Sequence, residues 1–149
     1  MSTPHPTPLD LAISQAAKAR LAAERELAAA RTRLQSAEMT YSTLDNYRGD
    51  YAKRLRSVTQ AETPTLGNFH RFLDKLSLAL QSQQHDVARA ESNVAYQQSG
   101  YFESLKRFKA MEQLRSRRAA TAMSRQNRQE QKQSDDFAAH TVRRNQRGN

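Results

Sequence analysis

The stretch TQAETPTLG, Thr59 to Gly67, interrupts an otherwise uniform sequence and decides the predicted fold. It contains Pro64 and Gly67, the two residue types that most often separate secondary-structure elements. On both sides the chain is dominated by Ala, Gln, Arg, Leu and Glu, most of them strong helix formers. The sequence therefore predicts two long helices joined at this segment.

The first helix has a clear start signal. The other three prolines, Pro4, Pro6 and Pro8, all lie at the N-terminus. Thr7 can cap a helix whose first residue is Pro8 and whose first turn holds Asp10. For the second helix we expect a cap at Asn68 or Thr65. The expected boundaries are a flexible N-terminus over 1–8, a two-helix domain over 9–139 (helix one about 8–59, loop about 60–67, helix two about 68–139) and a flexible basic tail over 140–149.

Apolar residues recur at alternating spacings of three and four, which is the heptad repeat of a coiled coil. Thirteen of the fifteen positions from Leu9 to Val58 are apolar or aromatic, as are ten of the fourteen from Phe69 to Arg115. The hydrophobic fraction of 37% suits a narrow seam better than a broad core. Because a short loop makes long helices antiparallel neighbours, the predicted fold is all-α, an antiparallel two-helix coiled coil (an α-helical hairpin). Four successive layers of helix one are small: Ala16, Ala23, Ala30 and Ala37.

One edge of this hairpin lacks the Glu and Lys residues that usually flank a seam. Two stripes with spacings of four, three and four lie on the same side near the loop. They are Thr40, Leu44, Tyr47 and Tyr51 on helix one, and Phe72, Leu76, Ala79 and Gln83 on helix two. Grouped exposed aromatic residues indicate a docking surface. The alternative is a seam that is wider near the loop, with Tyr47 and Phe72 packing on each other.

The C-terminal end is strongly basic. The last 35 residues hold nine Arg or Lys and three Asp or Glu, so they carry +6 of the total net charge of +9. Such a segment can meet nucleic acid, an anionic membrane or an acidic protein surface. Phe137 is the lone aromatic residue for stacking bases, and no apolar face suits membrane insertion. An acidic protein partner is favoured, and a purely solvated helix is the alternative.

No pattern of catalytic or cofactor-binding residues is recognisable. The chain lacks a P-loop and any cysteine, and its four histidines show no metal-ligand spacing. We therefore predict a protein that is not an enzyme, with no catalytic, metal or cofactor site and no small-molecule substrate. The sequence also lacks an apolar run long enough for a transmembrane helix and the pattern of a signal peptide. We expect a soluble cytoplasmic protein.

Three stretches together resemble the FliJ family, the small coiled-coil component of the flagellar type III export apparatus. They are NYRGDY (residues 46–51), NFHRFLDKL (residues 68–76) and NRQEQKQSDDF (residues 127–137). Their order, their spacing across one short loop and the chain length carry the resemblance, which covers roughly residues 35 to 140. Residues before Gln35 fit only through their helical character.

The resemblance implies a stalk similar to the rotor stalk of rotary ATPases. It implies three partners: the hexameric export ATPase, whose ring assembly the joined helix ends promote, the cytoplasmic domain of the export gate, and empty export chaperones that are recycled. The protein would then be cytoplasmic, peripherally associated with the inner-membrane export apparatus, and would serve motility. By alignment, gate docking falls on the eight residues of the two stripes. We assign the ATPase end to Arg115, Arg118, Arg125 and Arg128.

The sequence departs from the family pattern at Gly67, where members usually have an apolar residue, and this loosens the expected start of helix two. Thr40 and Gln83 are ordinary polar residues within the inferred docking stripes. Three alternatives stay open from the sequence: a basic nucleic-acid-binding coiled coil, a generic self-associating scaffold, and the equivalent stalk of an injectisome.

Overall fold

The computed structural model describes residues 4–57 and 63–148, and nearly all of them are helical. Helix α1 is Pro8–Ser57, with 50 residues, and helix α2 is Thr63–Arg147, with 85 residues. No strand occurs in these described ranges. The prediction of an all-α hairpin coiled coil is confirmed.

The predicted start of α1 is confirmed, and side chains secure it. The Asp10 backbone N–H donates to Thr7 Oγ1 at 3.2 Å, and the Thr7 backbone N–H donates to Asp10 Oδ2 at 3.0 Å. The Thr7 hydroxyl also donates to the same carboxylate oxygen at 2.8 Å. This reciprocal pair is a capping box, which satisfies N–H groups that have no partner within the helix.

Protonation of Asp10 should loosen this helix start. Hydrogen bonds from Thr7, and then the nearby Arg115 guanidinium, hold the pKa of the Asp10 carboxyl below its ordinary value. A carboxyl whose pKa is lowered in the folded form contributes stability at pH values above its ordinary pKa. That stability is lost as the pH falls through the lowered pKa, below about pH 4. We expect the Thr7 amide NMR signal to titrate in that range, and to stop doing so in Asp10→Ala. A Thr7 signal that ignores pH would contradict the capping role.

The predicted boundary of the second helix is wrong at its start. Helix α2 begins at Thr63 rather than about residue 68, so Thr65 and Asn68 lie inside it and do not cap it. Pro64 is the second helical residue, and proline is tolerated there because an N–H in the first turn has no partner within the helix. Gly67 costs about 1 kcal/mol relative to alanine in a helix, which is too little to end one. The expected last residues of helix one, 58 and 59, lie outside the described residues.

The predicted boundary is also wrong at the C-terminal end. Residues 140–147 continue helix α2 instead of forming an irregular tail, and the helix ends at Arg147, directly before Gly148. No proline or glycine interrupts the chain between Gly100 and Gly148, and Arg and Gln favour helix. Every described side chain from Glu112 onward is exposed, so local propensity rather than packing maintains this part of α2.

The packing falls into two units, which we describe separately. The hairpin unit comprises Lys18–Leu105 and therefore parts of both helices. Its buried side chains are the seam residues Leu27, Ala30, Leu76 and Leu80. The remaining seam positions of this unit that the structure describes are half-buried, except for Arg48, which is exposed and pairs with Asp45. The heptad prediction therefore gave the correct register of the seam.

Contacts within the hairpin unit establish that its helices are antiparallel. The Tyr51 ring on α1 packs against Phe72 on α2. Fourteen residues earlier on α1, the Ala37 carbonyl accepts a hydrogen bond of 3.0 Å from the side-chain amide of Gln83. Leu27 lines the same groove as Tyr101. As the residue number falls on α1, the number of the contacting residue rises on α2.

The terminal unit comprises residues 1–17 and 106–149. Ile13 is its one buried apolar residue among those described, and Phe108 and Met111 are half-buried on α2. The Arg115 guanidinium lies 3.7 Å from the Asp10 carboxylate. Beyond Arg115, α2 continues as a single solvated helix.

Candidate partner-binding surfaces

The first candidate surface is the aromatic patch, defined as the two predicted stripes. Its centre is a cluster of rings. The ring centroids of Tyr51 and Phe72 are 4.3 Å apart with an interplanar angle of 37°, and Phe69 lies 6.1 Å from Tyr51. The Arg54 guanidinium lies 5.6 Å from the centroid of the Tyr51 ring, within the range of a cation–π contact. Tyr51 is therefore half-buried, and Phe72 packs against its ring.

Two aromatic rings of the patch remain open to solvent. Tyr47 is 54% exposed and Phe72 is 39% exposed. Within the described residues no ring contact joins Tyr47 to Phe72, because Phe72 packs on Tyr51 instead. The alternative interpretation, in which Tyr47 and Phe72 pack on each other in a widened seam, does not describe this geometry. Tyr47 is an exposed ring one helical turn before Tyr51, which packs on Phe72.

The other members of the patch divide into an outer and an inner set. Thr40 and Ala79 are exposed, and the Thr40 hydroxyl donates to the Ser36 carbonyl of its own helix at 3.0 Å. Leu76 is buried in the seam and Leu44 is half-buried. Gln83 is also half-buried, and its amide bonds across the seam to Ala37. Gln83 and Leu76 therefore lie beneath the surface of the patch and expose little of their own side chains to solvent.

Two residues beside the patch, Asn68 and Phe69, were not predicted to belong to it. A shallow pocket of about 230 Å³ is lined by Tyr51, Asn68, Phe69 and Phe72. The heptad pattern places Phe69 in the seam, and the sequence predicts Asn68 as a helix cap. Both belong to the quoted stretch at residues 68–76, and that stretch was the only signal that could have linked them to the patch.

The second candidate surface is the basic segment, residues 115–147 of α2. Arg118 and Arg125 are one heptad apart and Arg128 follows three residues later, so the three share one side of the helix. All three are exposed, and no ion pair within residues 4–57 and 63–148 neutralises them. Arg115 differs, because it lies beside Asp10.

Two acidic residues of the basic segment, Glu130 and Asp135, bond to neighbouring glutamine side chains and not to these arginines. Glu130 accepts a hydrogen bond from the Gln126 side chain and Asp135 accepts one from Gln131, each at 3.3 Å. These are local contacts one helical turn apart. The positive charge of the arginine row therefore faces solvent.

The fold and its exposed side chains define a class of protein: an α-helical hairpin coiled coil with aromatic and basic side chains open to solvent. In a comparison with known families, the one described as "Flagellar FliJ protein" matches residues 5–147. The chain belongs to the FliJ family, a family of non-catalytic components of flagellar protein export. A comparison with individual curated proteins gave no match. In the described part of the chain, neither helix contains a stretch long and apolar enough to cross a membrane.

Proposed function

We propose that this chain is a stalk of the flagellar export apparatus that docks on the cytoplasmic domain of the export gate through the aromatic patch. The observation that carries this proposal is the exposure of Tyr47 one helical turn from the packed ring pair of Phe72 and Tyr51. Aromatic side chains in such a position are typical of the few residues that dominate a protein interface. Contact between the Phe72 and Tyr51 rings orders both side chains before binding, which lowers the entropy lost on docking.

The same proposal assigns the basic segment to the hexameric export ATPase, whose ring assembly it promotes. An exposed row of unneutralised arginines fits an acidic protein surface and accelerates encounter with it. Binding to the ATPase would break few contacts within the protein, because the side chains of the segment are exposed throughout. The protein acts in the cytoplasm, reaches the inner membrane only through the gate, and also helps to recycle empty export chaperones.

Reversing the arginine row should weaken binding to the export ATPase. We expect Arg118→Glu, Arg125→Glu and Arg128→Glu together to lower the affinity at least tenfold, because each exposed charge contact contributes about 0.2–1 kcal/mol and reversal adds repulsion. Surface plasmon resonance on the isolated ATPase would measure this change, which should shrink as salt is raised.

A matched control separates the position of the charges from their number. Arg25, Lys53 and Arg71 are also exposed but lie in the hairpin unit. Replacing these three by glutamate changes the net charge equally and should leave ATPase binding nearly unchanged. Equal losses in both triple variants would mean that overall charge, not the basic segment, attracts the ATPase.

The net charge of +9 favours one second candidate, binding to nucleic acid. That function predicts retention of duplex DNA or RNA, with affinity that falls steeply as salt increases. A fluorescence anisotropy titration at physiological salt tests it directly. Absence of binding there removes the candidate and leaves the export proposal in place.

A further inference from the structure

The edge of the hairpin unit opposite the aromatic patch carries a groove that the proposed function does not use. Glu24, Arg31 and Glu38 follow one another at seven-residue intervals on α1, so they lie in one row. Gln84, Glu91 and Gln98 form the corresponding row on α2. Tyr47 and Phe72 flank the other side of the seam. The two edges are therefore separate surfaces.

Two cavities lie between these rows. The larger, of about 430 Å³, has Tyr41 and Val87 among its apolar residues and Glu38, Gln84 and Glu91 among its polar ones. Tyr41 and Val87 are half-buried seam residues whose outer surface is still accessible, and the neighbouring Ala88 is exposed. This cavity combines a hydrophobic floor with carboxylates at the rim.

The second cavity, of about 250 Å³, extends the groove along the same edge. Leu27, Tyr101 and Phe102 provide its apolar surface, and Glu24 and Arg31 lie at its rim. Phe102 is 48% exposed and its ring centroid is 5.9 Å from that of Tyr101. Phe102 lies outside the seam positions, so packing of the hairpin does not account for an aromatic residue there.

The dimensions and the charge of the groove indicate what it can hold. From Glu24 to Tyr41 the two cavities span 17 residues of α1, which is roughly 25 Å of helix, or about five turns. A furrow between two packed helices accepts the ridge of side chains of a third helix. Glu24, Glu38 and Glu91 form no ion pair within the described part of the chain, and Arg31 is the single cation lining either cavity.

We propose that this groove receives a basic amphipathic α-helix of a partner protein, about five turns long. The helix places apolar residues at spacings of three and four on the floor between Leu27 and Val87. Its flanking Lys or Arg side chains meet Glu24, Glu38 and Glu91. The proposal is independent of gate and ATPase binding, because it uses the opposite edge of the hairpin unit and none of the residues assigned to them.

The test uses the full chain with one dye in the groove. Because the sequence contains no cysteine, Ala28→Cys accepts an environment-sensitive dye at a single place in the smaller cavity. The probe is an 18-residue synthetic helix with leucine at the inner positions and arginine at the flanking ones. We expect saturable binding that changes the dye signal. The same dye on Ser92→Cys, an exposed position outside both cavities, should report no change.

Variants locate the binding and assign its cause. Replacing Glu24, Glu38 and Glu91 together by glutamine should weaken the probe about tenfold, in line with three exposed charge contacts. Phe102→Ala should weaken it severalfold, whereas Tyr96→Ala, which removes another exposed ring, should not. Circular dichroism of each variant should match that of the parent chain.

Three results would overturn the proposal. The first is absence of saturable binding. The second is equal binding of a probe with glutamate in place of each arginine. The third is loss of binding in Tyr47→Ala with Phe72→Ala, which would place the probe on the aromatic patch. None of these results bears on whether the gate or the ATPase binds, so the proposed function would stand.

Discussion

Replacing Tyr47 and Phe72 together by alanine is expected to abolish binding to the cytoplasmic domain of the export gate. Both rings are substantially exposed in the hairpin unit, so a partner can bury them. An interface residue of this kind typically contributes about 2 kcal/mol or more. Loss of two therefore weakens binding by roughly a thousandfold, at 1.4 kcal/mol per factor of ten.

The same double variant should fold normally. Its structural cost is the contact between Phe72 and Tyr51, for which aromatic pairs contribute about 0.5–1.5 kcal/mol. Isothermal titration calorimetry with the gate domain would measure affinity, and circular dichroism would measure helical content. A matched control is Tyr96→Ala with Phe137→Ala, which removes two rings that are exposed outside the patch. If helicity collapses in the double variant of the patch, Tyr47 and Phe72 are core residues and the docking interpretation is wrong.

The largest effect on folding is expected from Leu80→Ala. Leu80 is only 4% exposed and is one of the few buried side chains in the described seam. Truncation of a buried leucine costs about 2–5 kcal/mol, through lost burial and the cavity left behind. A two-stranded seam has little surplus stability from which to absorb this loss, since its core is a single row of side chains.

Leu78→Ala provides the control, because it is the same substitution two residues away on the same helix. Leu78 is 67% exposed, so we expect a change within about 0.5 kcal/mol. Urea unfolding followed by circular dichroism would give both free energies of unfolding. Equal losses at the two positions would contradict the assigned register, since a seam that contained Leu78 would require a different face of α2.

The heptad pattern predicted the seam because burial in a two-helix coiled coil depends almost entirely on periodicity. Leu27, Leu76 and Leu80 all occupy predicted seam positions and are buried. Helix boundaries were less predictable. The sequence alone does not distinguish a proline in the first turn of a helix from a proline that ends one. Pro64 lies in the first turn of α2. At the other end, the sequence offers no stop before Gly148, and the predicted break near residue 139 had no physical signal behind it.

The aromatic patch was predictable in its members but not in its contacts. Spacing placed Tyr47, Tyr51 and Phe72 near one another, yet it could not decide which pair of rings would stack. That choice depends on the relative height of the two helices and on side-chain rotamers, which periodicity does not encode. The groove on the opposite edge was not predicted from the sequence.

The hydrogen bond from Gln83 to the Ala37 carbonyl has a mechanical consequence. Sliding either helix by one turn, about 5.4 Å, would separate the two groups and leave a partly buried amide without its acceptor. An apolar layer of alanine and leucine has no comparable preference for one alignment. Gln83 therefore opposes axial slippage, so that a pulling force on one helix of the hairpin unit is shared by its neighbour.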